Sequence, residues 1–206
     1  MRYKHILLDF DGTIVDSSPV VNNIVALLAD KYNAGGFGMR DFKHREQLSL
    51  KQKLKLYRFM LRIQKEFKLQ YGRRLAEIPP FSGMVPLMQA VLDKGCDLAV
   101  ISSNSAENVR RYFHTHNLID RLEVYPSRGV FGKHRAIRAL AKRKGWSLSD
   151  ILYVGDELRD VNACEKCGVD IAFVTWGLDG GMDLSGHTIA FIAETPQDLL
   201  QFLFPV

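Results

Sequence analysis

Cysteine is scarce in this chain: three residues in 206, Cys96, Cys164 and Cys167. So small and odd a number excludes a disulfide framework, and the Cys164-x-x-Cys167 spacing lacks the second Cys or His pair that would complete a zinc site. Both residues read as structural positions of a helix. Long apolar runs are missing as well. Nothing approaches the ~20 residues of a membrane span, and Asp9 and Asp11 interrupt the first apolar stretch before it could act as a signal peptide, so a cytoplasmic location is the default expectation. Internal repeats and low-complexity segments are absent too. What is there, 47% hydrophobic and 25% charged, is the composition of an ordinary globular chain with room for one sizeable core and a small second module.

The segment that organises the rest is Ile6-Leu7-Leu8-Asp9-Phe10-Asp11-Gly12-Thr13, a short apolar run ending in two carboxylates one residue apart. The run reads as a buried strand of a parallel sheet whose carboxyl end opens onto a site. Two anionic groups held so close repel unless a cation is shared or one is protonated, which points to a divalent metal and to different roles for the pair. Gly12 permits a sharp turn, and Thr13 offers a hydroxyl and an N–H to an anion.

Ser17 or Ser18 can cap a helix with Pro19 in its first turn, running from Val20 to about Tyr32 with Val21, Ile24, Val25, Leu28 and Ala29 on one face. From Met39 to Tyr71 the spacing is helical in two series, Leu50, Leu54, Tyr57, Leu61 and Leu56, Met60, Ile63, Phe67, with no strand alternation. After the helix-stopping Glu77-Ile78-Pro79-Pro80-Phe81-Ser82-Gly83, the pattern changes. Strands are expected at 97–101, 122–125, 151–154, 171–174 and 189–192, separated by helices at 84–92, 106–116, 133–144 and 160–167 and followed by one at 196–203. Such alternation with short connections implies an α/β fold, a parallel sheet covered by helices on both faces.

Ligands of an open α/β sheet gather at the carboxyl ends of the strands. Ser102-Ser103-Asn104-Ser105 follows one strand and begins a helix, offering N–H groups and hydroxyls to a phosphate, although Ser and Asn are also ordinary helix caps. Lys133 stands in the first turn of another helix, where the dipole disfavours a cation without an anion nearby. Val154-Gly155-Asp156-Glu157-Leu158-Arg159-Asp160 adds three carboxylates to the edge that carries Asp9 and Asp11, a density that fits Mg²⁺.

Taken together, Asp9-Phe10-Asp11-Gly12-Thr13, Ser102, Lys133 and Gly155-Asp156-Glu157-x-x-Asp160 resemble, in order, the four motifs of the haloacid dehalogenase-like (HAD) hydrolase superfamily, and the resemblance spans Ile6 to Val174. The segment Gly155 to Gly177, with Thr175-Trp176-Gly177, is most similar to the phosphoglycolate phosphatase-like branch. The resemblance implies a Rossmann-like core, residues 1–16 and 83–206, with an all-helical cap at 17–82. It further implies that Asp9 is the nucleophile and Asp11 the general acid/base. Ser102 (with Ser103 as fallback) and Lys133 would contact the transferring phosphoryl group, Gly12, Thr13 and Asn104 would line its site, Asp9, Asp156 and the Asp11 backbone carbonyl would hold Mg²⁺, and Glu157 and Asp160 would support that shell. The expected substrate is a small phosphorylated metabolite, phosphoglycolate-like or a sugar phosphate, with no nucleic-acid or membrane partner. Oligomeric state is not legible.

A dehalogenase is disfavoured because Asp11, which protonates an alkoxide leaving group, is present. A phosphomutase of the β-phosphoglucomutase type shares all four motifs, and a phosphonate hydrolase needs a cap lysine for a Schiff base, so both stay open. The insert is strongly basic: from Arg40 to Arg74 there are twelve Lys and Arg against Asp41, Glu46 and Glu66, a net +9 in a chain of +5. Solvated helix faces account for such a bias as well as a funnel for an anionic substrate does. Arg40, Lys43 and Arg45, next to the Gly35-Gly36-Phe37-Gly38 stretch, are the candidates for meeting substrate.

Overall fold

The computed structural model describes residues 2–34, 48–115, 122–127 and 132–205. In chain order its elements are β1 (His5–Leu8), α1 (Ser18–Lys31), α2 (Leu50–Arg73), α3 (Met84–Asp93), β2 (Asp97–Ser102), α4 (Ala106–Thr115), β3 (Glu123–Pro126), α5 (Lys133–Lys144), β4 (Ile151–Gly155), α6 (Leu158–Cys167), β5 (Asp170–Val174), β6 (Phe191–Ala193) and α7 (Pro196–Leu203). They form two units, Met1–Asp16 with Pro79–Val206, and Ser17–Ile78.

The first unit is a six-stranded parallel sheet in the order β3-β2-β1-β4-β5-β6. β1 is central, with Leu7 beside Ala99 of β2 on one edge and Tyr153 of β4 on the other. A strand hydrogen-bonded on both edges and covered on both faces has no polar side to show, so Ile6, Leu7 and Leu8 run consecutively and are fully buried. On one face Leu7, Ile101, Tyr153 and Phe173 pack against Ile137 and Leu140 of α5 and Val161 and Cys164 of α6. Each such side chain contributes about 1.5–3 kcal/mol by leaving water. Cys96, Cys164 and Cys167 are all buried, and burial raises the Cys164 thiol well above its ordinary pKa. Strand order steps from β1 out to β3 and then returns across β1 to β4, which leaves a crevice at the carboxyl ends of β1, β2 and β4.

In the Ser17–Ile78 unit, α1 packs on α2. Ser17 is the N-cap of α1 without a side-chain bond, whereas Ser49 and Gln52 form a reciprocal capping box on α2. The buried face of α1 includes Val20, Ile24 and Leu28, with Val20 taking the place expected for Val21. On α2 the buried side chains include Leu56, Phe59 and Ile63; Met60 is 40% exposed, and Leu50, Leu54, Tyr57 and Leu61 face water. Glu66 ties the two helices, accepting from Lys31 at 2.7 Å and from the Tyr32 hydroxyl at 2.9 Å. Lys51, Lys53, Lys55, Arg58, Arg62, Lys65 and Lys68 are exposed. Arg40, Lys43 and Arg45 lie outside the described residues, as does the Gly35–Gly38 stretch. Among the described residues, no helix is long and apolar enough to cross a membrane.

Candidate active site

β1 delivers Asp9 to the crevice. Its backbone N–H continues the ladder, donating to Val154 at 2.9 Å, so the carboxylate leaves the sheet where pairing ends. Phe10 anchors the turn behind it, meeting Tyr112 and Phe113 edge-on at 5.2 and 5.8 Å. Gly12 then adopts φ 84°, and a Cβ there would collide with the Asp156 carboxylate, so both the turn and the close approach require glycine.

Lys133, the first residue of α5, is buried and bonds both Asp9 and Asp160. A cation that sequence reading finds misplaced against the helix dipole thus has two anionic partners. Burial disfavours its charge, but Asp160 and Asp9 outweigh burial and raise its pKa. Asp160 is itself raised by burial and by Asp9, against the pull of Lys133. Beside this group, Arg159 pairs with Glu157, whose pKa burial pushes up to about 7 despite the guanidinium.

Asp156 is fully buried and held by neutral donors, the Thr13 hydroxyl at 2.7 Å and the Leu178 N–H at 2.7 Å. Burial first, then the charges of Asp9, Asp160 and Glu157, raise its pKa well above the carboxylate range. The Thr13 hydroxyl, offered to an anion by the sequence reading, is therefore engaged with Asp156. Among the described residues, ligand oxygens of Asp9, Asp156 and Asp160 lie within 4.8 Å of one another. Were Asp9, Asp156, Glu157 and Asp160 all ionised against the two cations Lys133 and Arg159, two negative charges would be left over in a poorly solvated place, and the raised pKa values of Asp156, Glu157 and Asp160 are the response to burial and to that crowding. A donor set of clustered oxygens and the crowding of their charges both fit a hard divalent cation such as Mg²⁺. The converging third carboxylate is that of Asp160; the Asp11 side chain points elsewhere, to Asn104, whose amide donates to it at 3.0 Å.

Ser102 ends β2, is buried, and its hydroxyl accepts the Asn104 N–H at 3.0 Å; Ser103 is exposed. Several contacts here are invisible to sequence reading. Trp176 donates its indole N–H to Thr13 at 3.1 Å, Leu178 supplies its N–H to Asp156, Asp179 accepts the Leu158 N–H at 3.1 Å, and Arg159 neutralises Glu157. The Thr175-Trp176-Gly177 run following β5 is the one signal that could have found the first two.

Four chemical groups thus meet at one sheet edge: a lysine-paired carboxylate, a second carboxylate on an amide, a strand-end hydroxyl and a metal-ready acid cluster. The family model described as haloacid dehalogenase-like hydrolase matches residues 6–174. The chain belongs to the haloacid dehalogenase-like hydrolase family. Within it, the chain is 31% identical over 205 residues to the phosphoglycolate phosphatase of Synechococcus elongatus, covering 95% of each. Its fold is similar to a haloacid dehalogenase-like hydrolase from Streptococcus pneumoniae (TM-score 0.81, 17% identity, 98% of this chain and 99% of that one). It is also similar to a hydrolase from Pseudomonas syringae (TM-score 0.74, 20% identity, 97% of each chain). The parallel sheet and its helices are the α/β haloacid dehalogenase-like fold, and the chain is an enzyme of that hydrolase family.

Proposed function

We propose that this hydrolase, a phosphatase of the haloacid dehalogenase-like type, cleaves a small phosphomonoester, phosphoglycolate-like or a sugar phosphate, through an aspartyl phosphate on Asp9 with Mg²⁺ as cofactor. The observation that carries the reading is the buried Asp9–Lys133–Asp160 group. A lysine shared by two carboxylates gives Asp9 a cationic partner in a dry site and fixes its direction, as an attacking oxygen requires. The phosphatase name of the Synechococcus relative points the same way.

In this mechanism an Asp9 oxygen attacks phosphorus in line as the bond to the leaving oxygen breaks, and Asp11 gives that oxygen its proton. Asp11, now ionised, takes a proton from water, whose oxygen attacks the aspartyl phosphate and releases phosphate and free Asp9. The Ser102 hydroxyl and the Lys133 ammonium bind the non-bridging oxygens as charge gathers on them. Asp9, Asp156 and the Asp11 backbone carbonyl would hold Mg²⁺, which would supply charge neutralisation to the phosphoryl group. Asp160 holds Lys133, Thr13 and Leu178 hold Asp156, and Glu157 pairs with Arg159 beside them. The Ser17–Ile78 unit would serve as a cap meeting the part of the substrate that is not transferred.

A panel of phosphorylated metabolites assayed for phosphate release, with Mg²⁺ and with a chelator, tests this. Mg²⁺-dependent release from a small monoester, with wild-type protein trapped as a phosphoenzyme that Asp9→Asn cannot form, is the expected result. Transfer to a second sugar in place of water would instead identify a mutase.

A further inference from the structure

The side-chain amide of Asn104 meets the Asp11 carboxylate. Its Oδ1 accepts the Ser105 N–H at 2.8 Å and the Asn108 side-chain N–H at 3.5 Å. The Ser105 backbone N–H can only donate, which identifies that atom as the oxygen and points Nδ2 the other way. There it donates to Asp11 Oδ2 at 3.0 Å. Asn108 is buried on α4, and its own N–H donates to Ser105 Oγ at 3.1 Å, so the support of the amide is part of the helix start. The Asn104 backbone N–H meanwhile donates to Ser102 Oγ at 3.0 Å.

We propose that Asn104 is the positioning residue of Asp11, setting the plane of its carboxylate for proton transfer to the leaving oxygen. The inference rests on the acid/base role given to Asp11 above. A carboxylate turns readily about Cβ–Cγ, and a proton donor turned off line loses its reach to the departing oxygen. A rigid N–H on one oxygen fixes that plane. By linking Ser102 through its backbone and Asp11 through its side chain, Asn104 sets the distance between the hydroxyl that meets the phosphoryl group and the acid that serves the leaving group.

The test uses a series of phosphomonoesters from alkyl to activated aryl leaving groups, with kcat/KM reporting the steps through P–O cleavage. Asn104→Asp keeps the acceptor for Ser105 and Asn108 and removes the donor to Asp11; Asn104→Ala removes both and adds no charge. In Asn104→Ala kcat/KM for the poorest leaving groups should fall roughly 10–100-fold while the most activated stay within about threefold, and Asn104→Asp, which sets a second anion against Asp11, should lose at least as much on the poorest. Competitive inhibition of Asn104→Ala by inorganic phosphate should be unchanged, and Asn104→Ala should cost nothing further in an Asp11→Asn background. An equal loss for every leaving group together with weaker phosphate inhibition would make Asn104 a phosphate ligand and overturn the proposal; so would full activity throughout. If Asp11→Asn alone steepens the leaving-group dependence and the Asn104 variants do not, only this inference fails. If Asp11→Asn also leaves the dependence flat, the role of Asp11 falls and the inference with it.

Discussion

The β-carbon that Gly177 lacks would fall on the side chain of Asp156. Gly12 faces the same carboxylate from another side, so Asp156 occupies a slot between two backbones that any larger residue would fill. Gly177→Ala should therefore displace Asp156 while leaving the sheet intact. Mg²⁺ affinity, followed as the magnesium-dependent rise in melting temperature, should weaken roughly 10–100-fold. A variant with the wild-type thermal response to Mg²⁺ would contradict this account of the slot.

Asp9→Asn should lower turnover by about three orders of magnitude or more, because an amide cannot form the covalent intermediate. Stability should hold or rise, since Asp156 loses a repelling neighbour and Lys133 keeps Asp160. Residual activity within tenfold of wild type would remove Asp9 from the nucleophile's role.

Lys133→Met leaves two buried carboxylates facing each other without their shared cation. Removing one partner of a buried ion pair costs about 3–5 kcal/mol, and urea unfolding in the presence of a chelator should show a loss of this order. Saturating Mg²⁺ should recover part of it, as a second source of positive charge. An unchanged unfolding midpoint would mean that the ammonium is not what holds the acids together.

A pH effect is expected in the Ser17–Ile78 unit. Glu66 is lowered from its ordinary pKa, first by the hydrogen bond from Lys31 and then by that from Tyr32. A carboxyl depressed in the folded state stabilises above its unfolded pKa, and the contribution is lost as pH falls through the lower folded value. Glu66→Gln should accordingly flatten the acid side of the stability curve and leave its slope near neutrality alone. Parallel acid-unfolding curves for the two proteins would refute the linkage.

The sheet was legible because its strands are buried on both faces. Ile6 to Leu8, Leu98 to Ile101 and Ile151 to Val154 stand as uninterrupted apolar runs, each ended by a polar cluster that the crevice collects. Less legible was the choice between two apolar series on α2. Period alone ranks Leu50, Leu54, Tyr57 and Leu61 equally with the Leu56 and Ile63 series, and only the packing of α1 selects the second. At the site, the sequence names polar residues at the strand ends but not the bonds between them. Thr13 reaches Asp156 across 143 positions and Asn104 reaches Asp11 across 93, pairings that exist only once the register of β1 with β2 and β4 is set. Hydroxyl and amide groups suit a phosphate or a carboxylate equally, and the sequence holds nothing that decides between them.

Where the chain leaves the core, the backbone is stitched shut. Asp16 N–H donates to Pro79 at 3.0 Å, Phe81 N–H donates to Ile14 at 2.9 Å, and Val15 lies antiparallel to Pro80. Everything from Ser17 to Ile78 is thus a detour that departs from and returns to the same rung. For the core, the cost of closing such a loop grows only with the logarithm of its length, so a longer or shorter excursion changes little once the rung is formed. The turn that carries Asp9 and Asp11 is insulated from whatever is spliced beyond it. A lineage of such chains could exchange the inserted unit piece by piece without ever rebuilding the carboxylate turn.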